Sequence, residues 1–158
     1  MHIIYNCYGG SHSSVTAASI HAGLLKDNVV PTSSQLLKLP YYDKQVAKDH
    51  GLIRYMGEDE YKNKIYITSK HNLGSNYETI MRSLACIMEI SNEKLVFVDT
   101  MPYVNWLMVI GGFLSRRLGI VFLGRPIVIK GTQISFLKFT HLVNIIKIKY
   151  GRLNLECQ

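Results

Sequence analysis

The chain opens with an apolar run over His2–Cys7 that is followed at once by a polar segment rich in glycine and serine. The isoleucines and the tyrosine of this run favour a buried β-strand, and Gly9-Gly10 ends it. A second apolar segment, Val15–Leu25, predicts a helix that is buried on most sides, because apolar residues occupy nearly its whole circumference. The first pattern is therefore a strand, a short polar loop and a helix.

Similar patterns predict the other elements. Lys94–Asp99 is the clearest second buried strand, and Leu52–Met56 and Lys64–Thr68 predict a hairpin at one edge of a sheet. Pro126–Lys130 predicts a third buried strand, which Gly131-Thr132 joins to a long helix. The predicted helices after the first are a short one ending at Leu37 and three longer ones over Ser75–Ile90, Val104–Leu118 and Gln133–Tyr150.

This alternation predicts an α/β fold in which a mostly parallel sheet carries helices on both faces, as in a P-loop or Rossmann-like three-layer sandwich. We expect residues 1–158 to form a single domain. Ligands of such sheets bind beyond the carboxyl ends of the strands. If the strands are parallel, one rim carries the three loops that follow them, at Cys7–Ser14, Asp99–Pro102 and Gly131-Thr132.

Composition narrows the class of ligand. The chain has 18 Lys and Arg against 11 Asp and Glu, a net charge of +7, which favours anionic partners. No recognised nucleic-acid motif accompanies the basic C-terminal segment, so a nucleic-acid partner is not expected. The three cysteines form no close pair, and neither a signal peptide nor a transmembrane segment is expected. These features predict a cytoplasmic protein with reduced thiols, and they specify no oligomeric state.

The segment between the first strand and the first helix has the composition of an anion-binding loop. Two glycines allow positive φ angles and the close approach of a ligand, and the helix that follows offers unpaired N–H groups. Hydroxyl groups and one imidazole add side-chain donors. The predicted phosphate-binding residues of this loop are Gly9, Gly10, Ser11, His12, Ser13 and Ser14.

One comparison is with the Walker A loop, G-x-x-x-x-G-K-S/T. When this pattern is laid on Cys7–Ser14, only the final Ser14 fits, and Ser13 takes the place of the lysine. Asp99, at the end of an apolar strand, resembles the Walker B carboxylate that helps to hold Mg²⁺. This hypothesis makes Ser14 and Asp99 the metal ligands, with a nucleotide and Mg²⁺ as the bound groups.

The other comparison is with low-molecular-weight tyrosine phosphatases and arsenate reductases, whose loop runs from a nucleophilic Cys through five residues to Arg-Ser. Cys7 takes the place of the nucleophile and Asp99 that of a general acid, but Ser13 replaces the arginine that clamps the phosphoryl oxygens. Packing in the core is the alternative role for Cys7. Residues from other segments are candidates to complete the anion site: Arg116, Arg117, Arg125 and Thr132.

Several segments together resemble a known family: Tyr5–Ser14, Val98–Thr100, Gly111–Gly119, Leu123–Pro126 and Gly131-Thr132. The family consists of short proteins from Gram-positive, spore-forming bacteria and is catalogued only as a domain of unknown function. The resemblance covers nearly the whole chain and implies a bacterial cytosolic protein, without an activity. The likeness to P-loop nucleotide enzymes is an analogy at the level of the loop.

Three functions follow as hypotheses. In the first, the chain binds a nucleotide or another phosphorylated small molecule at Gly9–Ser14, and whether it is a phosphoryl-transfer enzyme or an NTPase stays open. In the second, Cys7 is the nucleophile of a phosphatase or an arsenate-reductase-like enzyme. In the third, the chain is a non-catalytic interaction module, and substitutions at Ser14 and Asp99 leave its function intact.

Overall fold

A four-stranded sheet forms the centre of the fold. The computed structural model describes residues 1–155, apart from the side chains of Ala47 and of residues 152–155. The strands of this sheet are β1 (His2–Cys7), β2 (Arg54–Glu58), β3 (Lys64–Ser69) and β4 (Leu95–Asp99). In the strand order β2-β3-β1-β4, β1 is parallel to β3 and to β4, whereas β2 is antiparallel to β3. The α/β class and the edge hairpin are therefore confirmed, and the sheet is mixed.

The first helix packs on β1, on β3 and on the long last helix. Ile3 and Tyr5 of β1 are fully buried. The third helix reaches β4 through Tyr77, whose ring packs edge-on against Phe97. The helices are α1 (Ser13–His21), α2 (Ser33–Lys38), α3 (Asn76–Ile87), α4 (Trp106–Gly112) and α5 (Val121–Leu155), and a π-helical segment, Phe113–Arg117, follows α4.

The predicted strand over Pro126–Lys130 and the predicted turn at Gly131-Thr132 are wrong, because both lie inside α5. The β-branched residues of this stretch favour strands, but tertiary packing overrides that preference. Residues 128, 132, 136, 139 and 143 are all buried, which is the spacing of one helix face. Gly131-Thr132 therefore does not belong to the rim formed by the strand ends.

The helices α4 and α5 pack backbone against backbone at glycine residues. A Cβ at Gly111 would lie 2.4 Å from the backbone nitrogen of Val128, and one at Gly124 would lie 2.4 Å from that of Ser115. No larger residue fits at either position without moving a helix. This close packing holds the π-helical segment, which carries Arg116 and Arg117, against α5.

Candidate functional site

A cavity of about 770 Å³ lies where β1 and β3 end, a volume typical of small-molecule sites. The register of these parallel strands places Cys7 beside Ser69. The prediction that the turn after β4 lies at the same rim is confirmed, because Thr100 Oγ1 donates to the Asn6 carbonyl at 2.9 Å and lies 2.9 Å from Ser13 Oγ. Among the predicted site residues, those that line the cavity are Cys7, Gly9, Ser11, His12, Ser13, Arg116 and Arg117.

The carbonyl groups of the Cys7–Ser14 loop are largely hydrogen-bonded to neighbouring segments. This network fixes the backbone of the loop to the residues after β3 and to the segment around residues 43–45. The pairs are the carbonyl of Cys7 with the N–H of Lys70, Tyr8 with the N–H of His71, Gly10 with the side-chain amide of Gln45, Ser11 with the N–H of Asp43, and His12 with the N–H of Thr16.

The N–H groups of the same loop are mostly unpaired. Ser11 Oγ is also buried, and it has no hydrogen-bond partner in the part of the chain that the structure describes. Gly10 adopts a φ of +63°, and a Cβ there would lie 3.0 Å from the nitrogen of Ser69, so the turn requires glycine. Unpaired donors at the N-terminus of a helix suit a bound anion. The loop N–H groups that donate to no acceptor among the described residues are those of Gly9, Ser11, His12, Ser13 and Ser14.

The sulfur of Cys7 lies inside the loop. The N–H of Gly10 donates to Sγ at 3.1 Å, and Ser14 Oγ lies 3.2 Å from it. Cys7 is buried, yet it lines the cavity. The loop therefore places a thiol and its hydrogen-bond donors beside the unpaired N–H groups. Of the other cysteines, Cys86 is exposed and Cys157 lies outside the described residues.

A buried carboxylate that the sequence did not indicate, Asp43, connects the loop to the arginines. Its Oδ1 accepts from Ser115 Oγ at 2.8 Å and lies 3.1 Å from His12 Nε2 and 3.0 Å from Arg116 Nε. Its Oδ2 accepts from Arg125 Nε at 2.7 Å. Burial alone raises the pKa of Asp43, but the hydrogen bonds from His12, Arg125 and Ser115 outweigh burial and hold the pKa well below its usual range.

The two arginines of the π-helical segment differ in their partners. Asp43 offsets the charge of Arg116, whose Nη1 also donates to the Gln45 carbonyl at 3.3 Å. The guanidinium of Arg117 lies 5.7 Å from the centre of the Phe113 ring and pairs with no carboxylate of the described residues. π-Helical turns are rare and occur frequently at functional sites. Arg117 therefore supplies the cavity with a positive charge that an anion can pair with.

Asp99, the predicted general acid and metal ligand, has other partners. Its Oδ2 pairs with Lys70 Nζ at 2.6 Å, and its Oδ1 accepts from the N–H of Met101 at 3.0 Å. The other predicted metal ligand, Ser14, contacts the sulfur of Cys7. No group of three or more His, Cys, Asp or Glu side chains in residues 1–155 is arranged to hold a metal ion. Mg²⁺ at Ser14 and Asp99 would have to compete with these contacts.

Two other predicted residues contact the core or the Asp43 cluster. Thr132 lies within α5, where its hydroxyl donates to the Val128 carbonyl at 2.9 Å and lies 2.8 Å from Tyr42 Oη. Arg125 contacts Asp43. Neither of them, nor Asp99, belongs to the described lining of the cavity.

Sequence reasoning missed further residues of the cavity because they come from separated segments. His50 and His71 line its mouth beside Tyr8, and no spacing in the sequence joins them. Gln45, like Asp43, lies in a stretch after Pro40 without hydrophobic periodicity. In the structure, Tyr41 and Asp43 have positive φ angles, which show that this segment turns tightly.

Together these features define an α/β protein with a donor-rich loop before its first helix and a cavity at the carboxyl edge of its sheet. The chain belongs to the family described as protein of unknown function (DUF3189), whose model matches residues 2–148. The predicted membership of a family catalogued as a domain of unknown function is thus confirmed. No match was found among curated proteins or among solved structures. In the described part of the chain, no helix has the length and apolar character needed to cross a membrane.

Proposed function

We propose that the chain binds a nucleotide or another phosphorylated small molecule, with a phosphate group on the Cys7–Ser14 loop. The observation that carries this proposal is the loop's set of N–H groups that have no acceptor among the described residues. They lie at the start of α1, beside the Ser11 hydroxyl, which has no partner among those residues either. Unpaired polar groups in a folded protein are costly, and a phosphate would pair with several of them at once. We also propose that the fold is P-loop or Rossmann-like and that the protein is cytoplasmic.

The charges around the cavity support a phosphate rather than a neutral ligand. Arg117 lines the cavity and has no carboxylate partner among the described residues. The charge of Arg116 is only partly offset, because Asp43 also contacts Arg125 and His12. A phosphate bound at the loop would therefore meet N–H donors from the backbone and guanidinium donors from the π-helical segment.

A thermal unfolding series tests this proposal. The midpoint is measured with inorganic phosphate, ATP and GTP, with and without Mg²⁺, for the natural chain and for Arg117→Gln. A ligand at a hundred times its dissociation constant stabilises by about 2.7 kcal/mol, which raises the midpoint by several degrees. We expect such a rise with at least one phosphate compound and a smaller rise in Arg117→Gln.

Lys138→Gln, which removes one exposed positive charge from α5, is the matched control and is expected to keep the full rise. A rise that needs Mg²⁺ and one nucleotide would support the Walker-like form of the proposal. No rise with any of these compounds would contradict phosphate binding and favour the non-catalytic interaction module.

The contacts of Cys7 favour a second candidate function, a cysteine-dependent phosphatase or arsenate-reductase-like enzyme. The Gly10 N–H and the Ser14 hydroxyl are placed to stabilise a thiolate beside the phosphate loop. In a phosphatase reaction the thiolate attacks phosphorus, a sulfur–phosphorus bond forms, and the bond to the ester oxygen breaks. Water then hydrolyses the thiophosphate, releases inorganic phosphate and restores the thiol.

Replacing Cys7 with serine separates the two candidates. With p-nitrophenyl phosphate the leaving group departs as a stable anion, so the assay does not depend on a general acid. If Cys7 is the nucleophile, Cys7→Ser should lower kcat at least a hundredfold, which raises the activation free energy by about 2.7 kcal/mol. Inorganic phosphate should still raise the unfolding midpoint of this variant. Unchanged turnover in Cys7→Ser would rule out the nucleophilic role, with Cys86→Ser as the control for loss of a thiol.

A further inference from the structure

Three aromatic rings stand together at the mouth of the cavity. The rings of Tyr8 and His71 are stacked, with centroids 4.6 Å apart and planes 29° from parallel, and the His50 ring lies 4.8 Å from that of His71. All three residues line the cavity. Tyr8 is 41% exposed. These rings are therefore partly accessible from the same cavity that the phosphate loop lines.

The backbone that carries the Tyr8 and His71 rings is hydrogen-bonded and, at His71, strained. The N–H of His71 donates to the Tyr8 carbonyl at 3.0 Å, which joins the segments after β3 and β1. His71 has a φ of +44°, a left-handed conformation that is uncommon for residues other than glycine. Strained backbone of this kind is concentrated at binding sites, where the surroundings keep it in place.

Apolar side chains supply much of the remaining lining. They come from the turn after β4, from α4 and from the π-helical segment. Val109 and Phe113 are 57% and 46% exposed, so these side chains have free apolar surface. The cavity of about 770 Å³ is also far larger than a phosphate ion requires. The members of this apolar lining are Met101, Val104, Met108, Val109 and Phe113.

We propose that the ligand carries an aromatic ring, and that this ring binds against Tyr8 and His71 while the phosphate lies on the loop. The inference rests on the proposed phosphate-binding function and adds the chemical class of the ligand, a phosphorylated molecule with a planar aromatic group. A nucleotide and an aryl phosphate share this chemistry. Stacking of such a ring on tyrosine or histidine strengthens binding severalfold or more.

Isothermal titration tests this inference with four probes: inorganic phosphate, ribose 5-phosphate, AMP and phenyl phosphate. Tyr8→Leu removes one ring and keeps an apolar side chain. His71→Asn removes the other ring and keeps a residue that tolerates the left-handed backbone. Tyr55→Leu, at a tyrosine of β2 that is 52% exposed, is the matched control outside the cavity.

We expect AMP or phenyl phosphate to bind about tenfold more tightly than its non-aromatic counterpart, ribose 5-phosphate or inorganic phosphate. Tyr8→Leu and His71→Asn should each lose most of this preference, measured as the ratio of the two affinities in the same variant, whereas Tyr55→Leu should keep it. The AMP and phenyl phosphate arms distinguish a nucleotide from an aryl phosphate.

Two outcomes would overturn the inference. If phosphate compounds bind without preference for an aromatic group, the ring inference fails and phosphate binding stands. The inference also fails if the preference survives both ring substitutions. A chain that binds none of the four probes would contradict the proposed function itself, so the two failures are distinguishable.

Discussion

Replacing Asp43 with alanine is expected to lower the free energy of unfolding by about 3 kcal/mol. The carboxylate is fully buried and contacts four side chains, so its removal leaves them without their common acceptor. Arg116 and Arg125 are partly exposed and water would solvate them in part, so we expect the lower end of the range for buried ion pairs. Urea unfolding of the natural chain and the variant measures the loss.

Asp27→Ala is the control, because it removes an exposed carboxylate of the same kind and should change the free energy of unfolding by less than about 0.5 kcal/mol. An Asp43→Ala variant as stable as Asp27→Ala at pH 7 would contradict the role assigned to the Asp43 carboxylate.

The stabilising effect of Asp43 should also depend on pH. Hydrogen bonds lower the pKa of Asp43 in the folded state. Its contribution to stability is therefore fully present above the pKa of an unfolded aspartate and is lost as the pH falls below that value.

Replacing Asp59 with alanine is expected to be more damaging, by about 3–5 kcal/mol. Asp59 directly follows β2. The side chains of Asp59 and His21 are fully buried, and His21 Nε2 lies 3.0 Å from Asp59 Oδ2. The other nitrogen of His21 lies 2.7 Å from Tyr5 Oη. Asp59 also accepts from the backbone and the side chain of Asn63 at 2.8 Å each. Removing it takes an acceptor from several buried donors at once.

The stabilising effect of Asp59 should depend on pH. Burial by itself raises its pKa, but hydrogen bonds from His21 and Asn63 lower it from 3.8 to about 2. Because the pKa is depressed in the folded state, the contribution is present above pH 3.8 and is lost as the pH falls toward 2. The stability gap between the natural chain and Asp59→Ala should therefore narrow between pH 5 and pH 2.

Urea unfolding at a series of pH values measures this gap. Glu60→Ala is the control, since its pair with Lys147 is exposed and should contribute less than about 1 kcal/mol. A gap that stays constant over this pH range, or an Asp59→Ala variant no less stable than Glu60→Ala, would contradict the account of the buried network.

The elements that the sequence predicted well are those in which local preference and packing agree. The apolar runs of β1 and β4 and the glycines after Cys7 all favour the conformation that the fold uses. The segment Pro126–Lys130 is the opposite case. Its β-branched residues favour a strand, but α5 packs against α4, through Gly111 and Gly124, and against α1, and this packing overrides the local preference. That packing is a tertiary contact, which a local pattern does not contain.

The residues of the candidate site also fall into two groups, those that the local sequence indicates and those that depend on long-range contacts. Its loop is one continuous segment with turn residues, so the sequence could indicate it. Asp43 contributes through contacts with residues 31 positions before it and 72 and 82 positions after it, which no spacing rule anticipates. The pairing of Asp99 with Lys70 likewise depends on the turns at the strand ends. The sequence therefore indicated the loop of the candidate site, whereas the electrostatics of that site depend on contacts that only the fold creates.

The most direct test of phosphate binding at the Cys7–Ser14 loop is a ¹H–¹⁵N NMR titration with inorganic phosphate, against sodium chloride at equal ionic strength. The account predicts downfield amide proton shifts at the loop N–H groups that lack a protein acceptor, and much smaller shifts for Tyr8 and Gly10, which already donate to sulfur atoms. No shift in the loop, or shifts confined to other surfaces of the chain, would contradict it. The amides expected to shift are those of Gly9, Ser11, His12, Ser13 and Ser14.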